Sequence, residues 1–160
     1  MKFFEPEEYQ DKVNELFEKV REDIFNCISN LRFEHIGASS IKGSVSKGDL
    51  DIFVGVKKDQ FNLTIEKLKE IGFTEKENTL RTNELCMMVT DKYNYDVAIQ
   101  IVVNGSEFED FIKFRDFMMT RPDLVEELNV LKRSCSDFTP DEYRAKKSNW
   151  VEGILKNIKN

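Results

Sequence analysis

The stretch Gly48-Asp49-Leu50-Asp51-Ile52-Phe53-Val54 constrains the fold most, because polar and apolar residues alternate from Asp49 toward Val54 as in a half-buried strand reaching Val56. Side chains at i and i+2 of a strand share a face about 6.5–7 Å apart. Asp49 and Asp51 therefore project together while Leu50, Ile52 and Val54 face a core. In a later strand, Tyr95 to Val103, the residues Asp96, Ala98 and Gln100 share one face and Val97, Ile99 and Ile101 the other. Neighbouring strands lie about 4.8 Å apart, so Asp96 joins the first two acids if these strands are adjacent.

Three acids gathered on one face repel one another and raise one another's pKa unless a cation neutralises them. His35 is the only histidine, and Cys27, Cys86 and Cys135 fit no CxxC or zinc-ligand spacing. The metal is then one that prefers oxygen ligands, with Mg²⁺ first. Two such ions about 3.5–4 Å apart activate an acceptor hydroxyl and stabilise a leaving pyrophosphate. Upstream, Gly37-Ala38-Ser39-Ser40 forms a small-residue turn. Gly37 allows close backbone approach to a phosphate, and the hydroxyls of Ser39 and Ser40 can line it. Lys42 and Lys47, between turn and acids, would offset triphosphate charge or simply be solvated. Neither a P-loop nor a Rossmann glycine pattern is present.

Elsewhere, Val13, Leu16, Phe17, Val20, Ile24, Cys27, Ile28 and Leu31 recur at helical steps and predict a helix from about Asp11 to Asn30. A second helix carries Phe61, Ile65, Leu68 and Ile71, with Gly72 as its left-handed stop. Thr79 to Val89 and Tyr95 to Val103 read as a hairpin. Ser106 to Glu109 reads as a capping box opening a helix with Phe108, Phe111, Ile112, Arg115 and Met119. Thr120-Arg121-Pro122-Asp123 starts another helix, and Thr139-Pro140-Asp141-Glu142 caps a last one burying Tyr143, Trp150, Val151, Ile154 and Ile158. No repeat or linker interrupts this order, so one domain spans residues 1–160.

Composition sets outer bounds. The 160 residues, 40% hydrophobic and 34% charged with thirteen phenylalanines, suit one globular domain. A net charge of -6 argues against bulk nucleic-acid binding. No leader-like apolar run or span of eighteen apolar residues appears, so a cytoplasmic protein without membrane contact is expected, its cysteines buried and reduced.

The Gly37 turn, spacer, Asp49-Leu50-Asp51 pair and later Asp96 resemble the polymerase-β-type nucleotidyltransferase superfamily. Within it the chain most resembles the GrpB family. Glu34-His35-Ile36-Gly37-Ala38-Ser39-Ser40-Ile41-Lys42-Gly43 is similar to that family's His-Ile-Gly-Ser-Thr-Ser-Val-Pro-Gly segment, and Lys47 to Asp51 to its Lys-x-x-x-Asp stretch. Phe114-Arg115-Asp116-Phe117, Arg121-Pro122, Leu131-Lys132 and Tyr143-Arg144-Ala145-Lys146-Lys147 to Trp150 continue the match. The resemblance implies an α/β (α+β) nucleotidyltransferase-like mixed β-sheet flanked by helices, with C-terminal helices packed on it.

The resemblance leaves the substrate unsettled, but acid parity on two strands with the glycine-serine turn makes the leading expectation a Mg²⁺-dependent transfer of a nucleoside monophosphate from a nucleoside triphosphate to an unidentified hydroxyl acceptor. Asp49, Asp51 and Asp96 would hold metal, Asp96 alternatively acting as base, and Gly37, Ser39, Ser40, Lys42 and Lys47 would hold phosphate. Ala38 replaces the superfamily's second Gly or Ser, which leaves a catalytically silent nucleotide- or anion-binding module as the alternative. A protein-interaction role for the helical half is a third reading. His35 reads as structural or as a partner of the turn. Arg115, Lys132 and Lys147 either point into the cleft or pair on the surface, with surface pairing expected for Lys132. Phe108, Phe111 and Phe114 read as core, and Trp150 as a packing anchor.

Overall fold

The structure, a computed structural model, describes residues 1–159. Helix α1 (Pro6–Phe25) begins ahead of the predicted Asp11, because Pro6 occupies the first helical turn, where its missing N–H costs nothing, and Glu8 accepts the Glu5 N–H at 2.9 Å. It stops at Phe25 rather than Asn30, which takes a left-handed φ of 64°. Cys27 lies beyond it and is exposed, contrary to expectation, while Cys86 and Cys135 are buried; all three thiols are free.

Five strands form one mixed sheet: β1 (Arg32–Ile36), β2 (Leu50–Val56), β3 (Thr74–Glu75), β4 (Leu85–Thr90) and β5 (Val97–Val103), in the order β1-β2-β5-β4-β3. Strands β2 and β5 are parallel neighbours, and the other pairs are antiparallel. The β4–β5 hairpin forms, yet β4 starts at Leu85 rather than Thr79. Ahead of it, the Thr82 N–H turns onto the Leu85 carbonyl at 3.0 Å and closes a loop instead of a strand.

One face of the sheet is sealed. Leu50, Ile52, Val54, Val97, Ile99 and Ile101 pack against Val13, Val20 and Ile24 of α1 and against Phe61, Ile65 and Leu68 of α2 (Phe61–Glu70). Gly72 then stops the chain at φ 104°, as expected.

The opposite face meets three helices, α3 (Asp110–Met119), α4 (Pro122–Ser134) and α5 (Pro140–Lys159). Ile36, Phe53, Leu85 and Val102 pack there with Phe108, Phe111 and Ile112, and a second cluster joins Ile41, Met118, Val125 and Leu128 to Phe114 and Trp150. Thr139 and Glu142 cap α5 reciprocally, at 3.1 and 3.2 Å. The expected box at Ser106 does not form. Ser106 Oγ has no partner among the described residues, and Glu109 instead accepts from the Gly105 N–H and Arg32. No helix among the described residues is long and apolar enough to cross a membrane.

Candidate active site

Asp49 immediately precedes β2 and Asp51 is its second residue. Because β2 and β5 run parallel with Leu50 beside Val97, and the Leu50 N–H donates to the Asp96 carbonyl at 2.9 Å, Asp49 and Asp96 precede the same first rung. Asp51 lies on the face turned toward α3, α4 and α5. There it lines a cleft of about 440 Å³ with Gly37, Ala38, Ser44, Gln100, Lys132 and Lys147.

Asp49 and Asp96 line an adjoining hollow of about 560 Å³ over β4 and β5, where Asp96 is exposed. The acids thus sit at one end of the parallel pair but border two spaces. Among the described residues no three His, Cys, Asp or Glu side chains are grouped to hold a metal ion. Asp49 is nevertheless near enough to act on Asp51. Burial above all, then the Asp49 charge, pushes the Asp51 carboxyl up to about 7, while Lys147 and Lys47 pull it back in part.

Gly37 ends β1 with φ 73°, a left-handed conformation that favours glycine. A Cβ there would lie 2.5 Å from Asp51 Oδ2. Its missing side chain therefore admits the Asp51 carboxylate, so turn and acid touch. The following turn, Ala38–Ser40, closes through the Ser40 and Ile41 N–H groups on the Gly37 and Ala38 carbonyls, both at 3.1 Å.

Both serine hydroxyls are already engaged within the protein. Buried Ser39 Oγ lies 2.9 Å from His35 Nε2, and Ser40 Oγ donates to the Gly37 carbonyl at 2.6 Å. Gly37 and Ala38, not the serines, form the cleft wall. His35 stacks on Phe17 at 5.0 Å, and burial, then Arg115, pulls its imidazole down to about 4, leaving it neutral near pH 7. Arg115 is a clamp between α3 and β1, donating to Glu34 at 2.8 Å and to the His35 carbonyl at 3.0 Å.

The segment from turn to acids is held from both sides. Gln10 and Tyr9 of α1 donate to the Ile41 and Ser44 carbonyls at 2.8 and 2.7 Å, and Asn129 of α4 donates to Gly43 and accepts from the Val45 N–H. Lys42 is exposed and does not line the cleft. Lys47 is exposed too, with Nζ 5.8 Å from the Tyr143 ring centroid, and its charge reaches Asp51.

Lys132 departs from the expected surface pairing. It is 1% exposed, and its Nζ donates to the Val45 carbonyl at 2.6 Å and to Ser44 Oγ at 3.5 Å. Burial, then the Lys147 charge, pushes it down to about 7. The signal was present in α4, where Val125, Leu128, Asn129 and Lys132 recur at helical spacing and are all buried. Phe108, Phe111 and Phe114 join the core as expected and also line the cleft. Because the C-terminal helices wall off a cleft above Asp51, an interaction surface on those helices loses support.

The family described as GrpB protein matches residues 5–157. A UPF0157 protein of Vibrio cholerae is 45% identical over 155 residues, covering 97% of this chain and 82% of that protein. The crystal structure of the conserved protein GrpB from Enterococcus faecalis superposes with a TM-score of 0.80 at 20% identity, over 98% of this chain and 96% of that one. The Cid1 poly(U) polymerase bound to MgGTP aligns with a TM-score of 0.53 at 14% identity, over 76% of this chain but 39% of its own. These last two likenesses establish a nucleotidyltransferase-like fold.

Proposed function

This chain belongs to the GrpB family, and from that premise we propose that it is a magnesium-dependent nucleotidyltransferase acting on a nucleoside triphosphate and a hydroxyl acceptor. One observation carries the reading: Asp51, crowded by burial and by Asp49, lies against the glycine turn at the head of a cleft large enough for a ligand. Similarity in fold to a polymerase described with MgGTP adds support.

The residues fit magnesium. Asp51 and Asp49, whose charge acts on it, offer hard oxygen donors whose repulsion a divalent cation would relieve, with Asp96 entering the same first rung, and Mg²⁺ would complete its coordination with water and substrate phosphate. When bound, the ion neutralises phosphate charge and lowers the pKa of the acceptor hydroxyl. Gly37 and Ala38 bring backbone to the phosphates, and Lys47 adds positive charge from the approach to β2. Asp96, exposed at the adjoining hollow, would bind metal or orient the acceptor hydroxyl as base.

Equilibrium binding of the four common nucleoside triphosphates with and without Mg²⁺ tests the reading. Magnesium-dependent binding to wild type is expected, weakened roughly tenfold to hundredfold in Asp51→Asn, as for loss of contacts to a charged group. No metal or nucleotide affinity in wild type, or no change on substitution, would sink it.

A second reading, a catalytically silent nucleotide- or anion-binding module, draws on the engaged hydroxyls of Ser39 and Ser40 and on Ala38. Bound nucleotide that releases no pyrophosphate with any hydroxyl acceptor would favour it.

A further inference from the structure

We propose that the inner end of the cleft, where Lys132, Lys147 and Ser44 come together, is an anion-binding locus that takes a phosphate or pyrophosphate group without a metal ion. Lys132 and Ser44 are 1% and 2% exposed, yet both line the cleft. The ammonium group makes hydrogen bonds only to neutral oxygens, the Val45 carbonyl and Ser44 Oγ, and neither Lys132 nor Lys147 enters a salt bridge among the described residues.

A buried charge is ordinarily paired, since its desolvation is costly. Here the charged groups facing Lys132 are Lys147 of α5, Lys47 ahead of β2, and Asp49. Two cations and one anion surround it. Neither ammonium group is ion-paired among the described residues, although Asp51, Glu107 and Asp110 line the same cleft. An incoming anion supplies the missing partner and draws a proton onto Lys132.

A dianionic phosphate suits two ammonium groups and a hydroxyl donor better than a carboxylate does, because its oxygens accept from several directions at once. The same chemistry comes from free pyrophosphate or from the terminal phosphates of a nucleotide. This locus shares the cleft with Asp51, which the Lys147 charge also reaches, and it is tested apart from the metal reading because no metal ion is added.

Calorimetric titration of inorganic pyrophosphate into metal-free protein tests it, with Lys132→Met filling the same buried path and Lys147→Gln altering only the cleft wall. Binding to wild type is expected, lost in Lys132→Met and weakened roughly tenfold to hundredfold in Lys147→Gln.

Competition between pyrophosphate and magnesium nucleotide would identify the nucleotide's own phosphates as the occupant, and simultaneous binding would identify a free anion. Failure of metal-free wild type to bind pyrophosphate overturns the proposal, as does undiminished binding in Lys147→Gln. Either result leaves the magnesium-dependent test at Asp51 untouched.

Discussion

On one face of the sheet Leu50, Ile52 and Val54 are sealed beneath α1 and α2, while on the other Asp51, from the same strand, opens into a cleft beneath α3 to α5. Strand alternation places these opposite environments one residue apart. Between β2 and β5 the sealed face is apolar, so its contribution there is burial. The cleft face keeps a carboxyl whose ionisation burial opposes, a glycine at positive φ and a buried lysine, so part of its stability is given up to hold polar groups in place.

Truncating the sealed face should have the largest effect. Ile52→Ala removes a fully buried side chain and should cost about 2–5 kcal/mol in urea unfolding. Nucleotide affinity per folded molecule should stay at the wild-type value. A cost below about 1 kcal/mol would break the contrast, because the sealed face would then be no better packed than the cleft.

Gly37→Ala comes next, on the other face. The methyl group meets Asp51 Oδ2 at 2.5 Å and the backbone must hold φ 73°, so a loss of about 1–3 kcal/mol is expected. Magnesium affinity should fall with it, since the methyl displaces the carboxylate. A loss of stability with unchanged magnesium affinity would separate the turn from the acids and refute the role given to their contact.

The legibility of these two regions in the sequence differs for a physical reason. Strand β2 and helix α2 carry their own periodicity, and Thr139 with Glu142 completes its cap within one turn, so local spacing was enough. The start of α1 was also written locally, in Pro6 and Glu8, but lies ahead of the apolar stripe. Strand β1 carries no such signal, because Arg32 to His35 are all half-buried, whichever face they take.

At the site, backbone placement was legible and side-chain direction was not. Parity and register bring Asp49 beside Asp96, but the two spaces they border depend on where distant helices stop covering the sheet. Ser39 turns to His35 because the chain bends at Gly37, and Lys132 is buried by the carbonyl of Val45, far away in sequence. Pairings of that kind have no signature in spacing alone.

The smallest net effect sharpens the comparison furthest, because His35 on the sealed side and Asp51 on the cleft side titrate in opposition. His35 has its folded pKa lowered to about 4 from 6.5, so its unfolded form binds a proton first and stability is lost as pH falls through that interval. Asp51 is raised to about 7 from 3.8, so its unfolded form ionises first and stability is lost as pH rises from 3.8 toward 7. Over the shared window the two slopes offset one another in wild type. Relative to wild type, His35→Asn should therefore make metal-free protein less stable as pH rises from 4 to 6.5, and Asp51→Asn should make it more stable, each by on the order of 1–2 kcal/mol after allowing for solvent screening. Urea midpoints across that range would check both. Slopes of the same sign in the two variants would show that the faces do not divide their electrostatics in this way, and that the Asp51 carboxyl is not held against its charge by the fold.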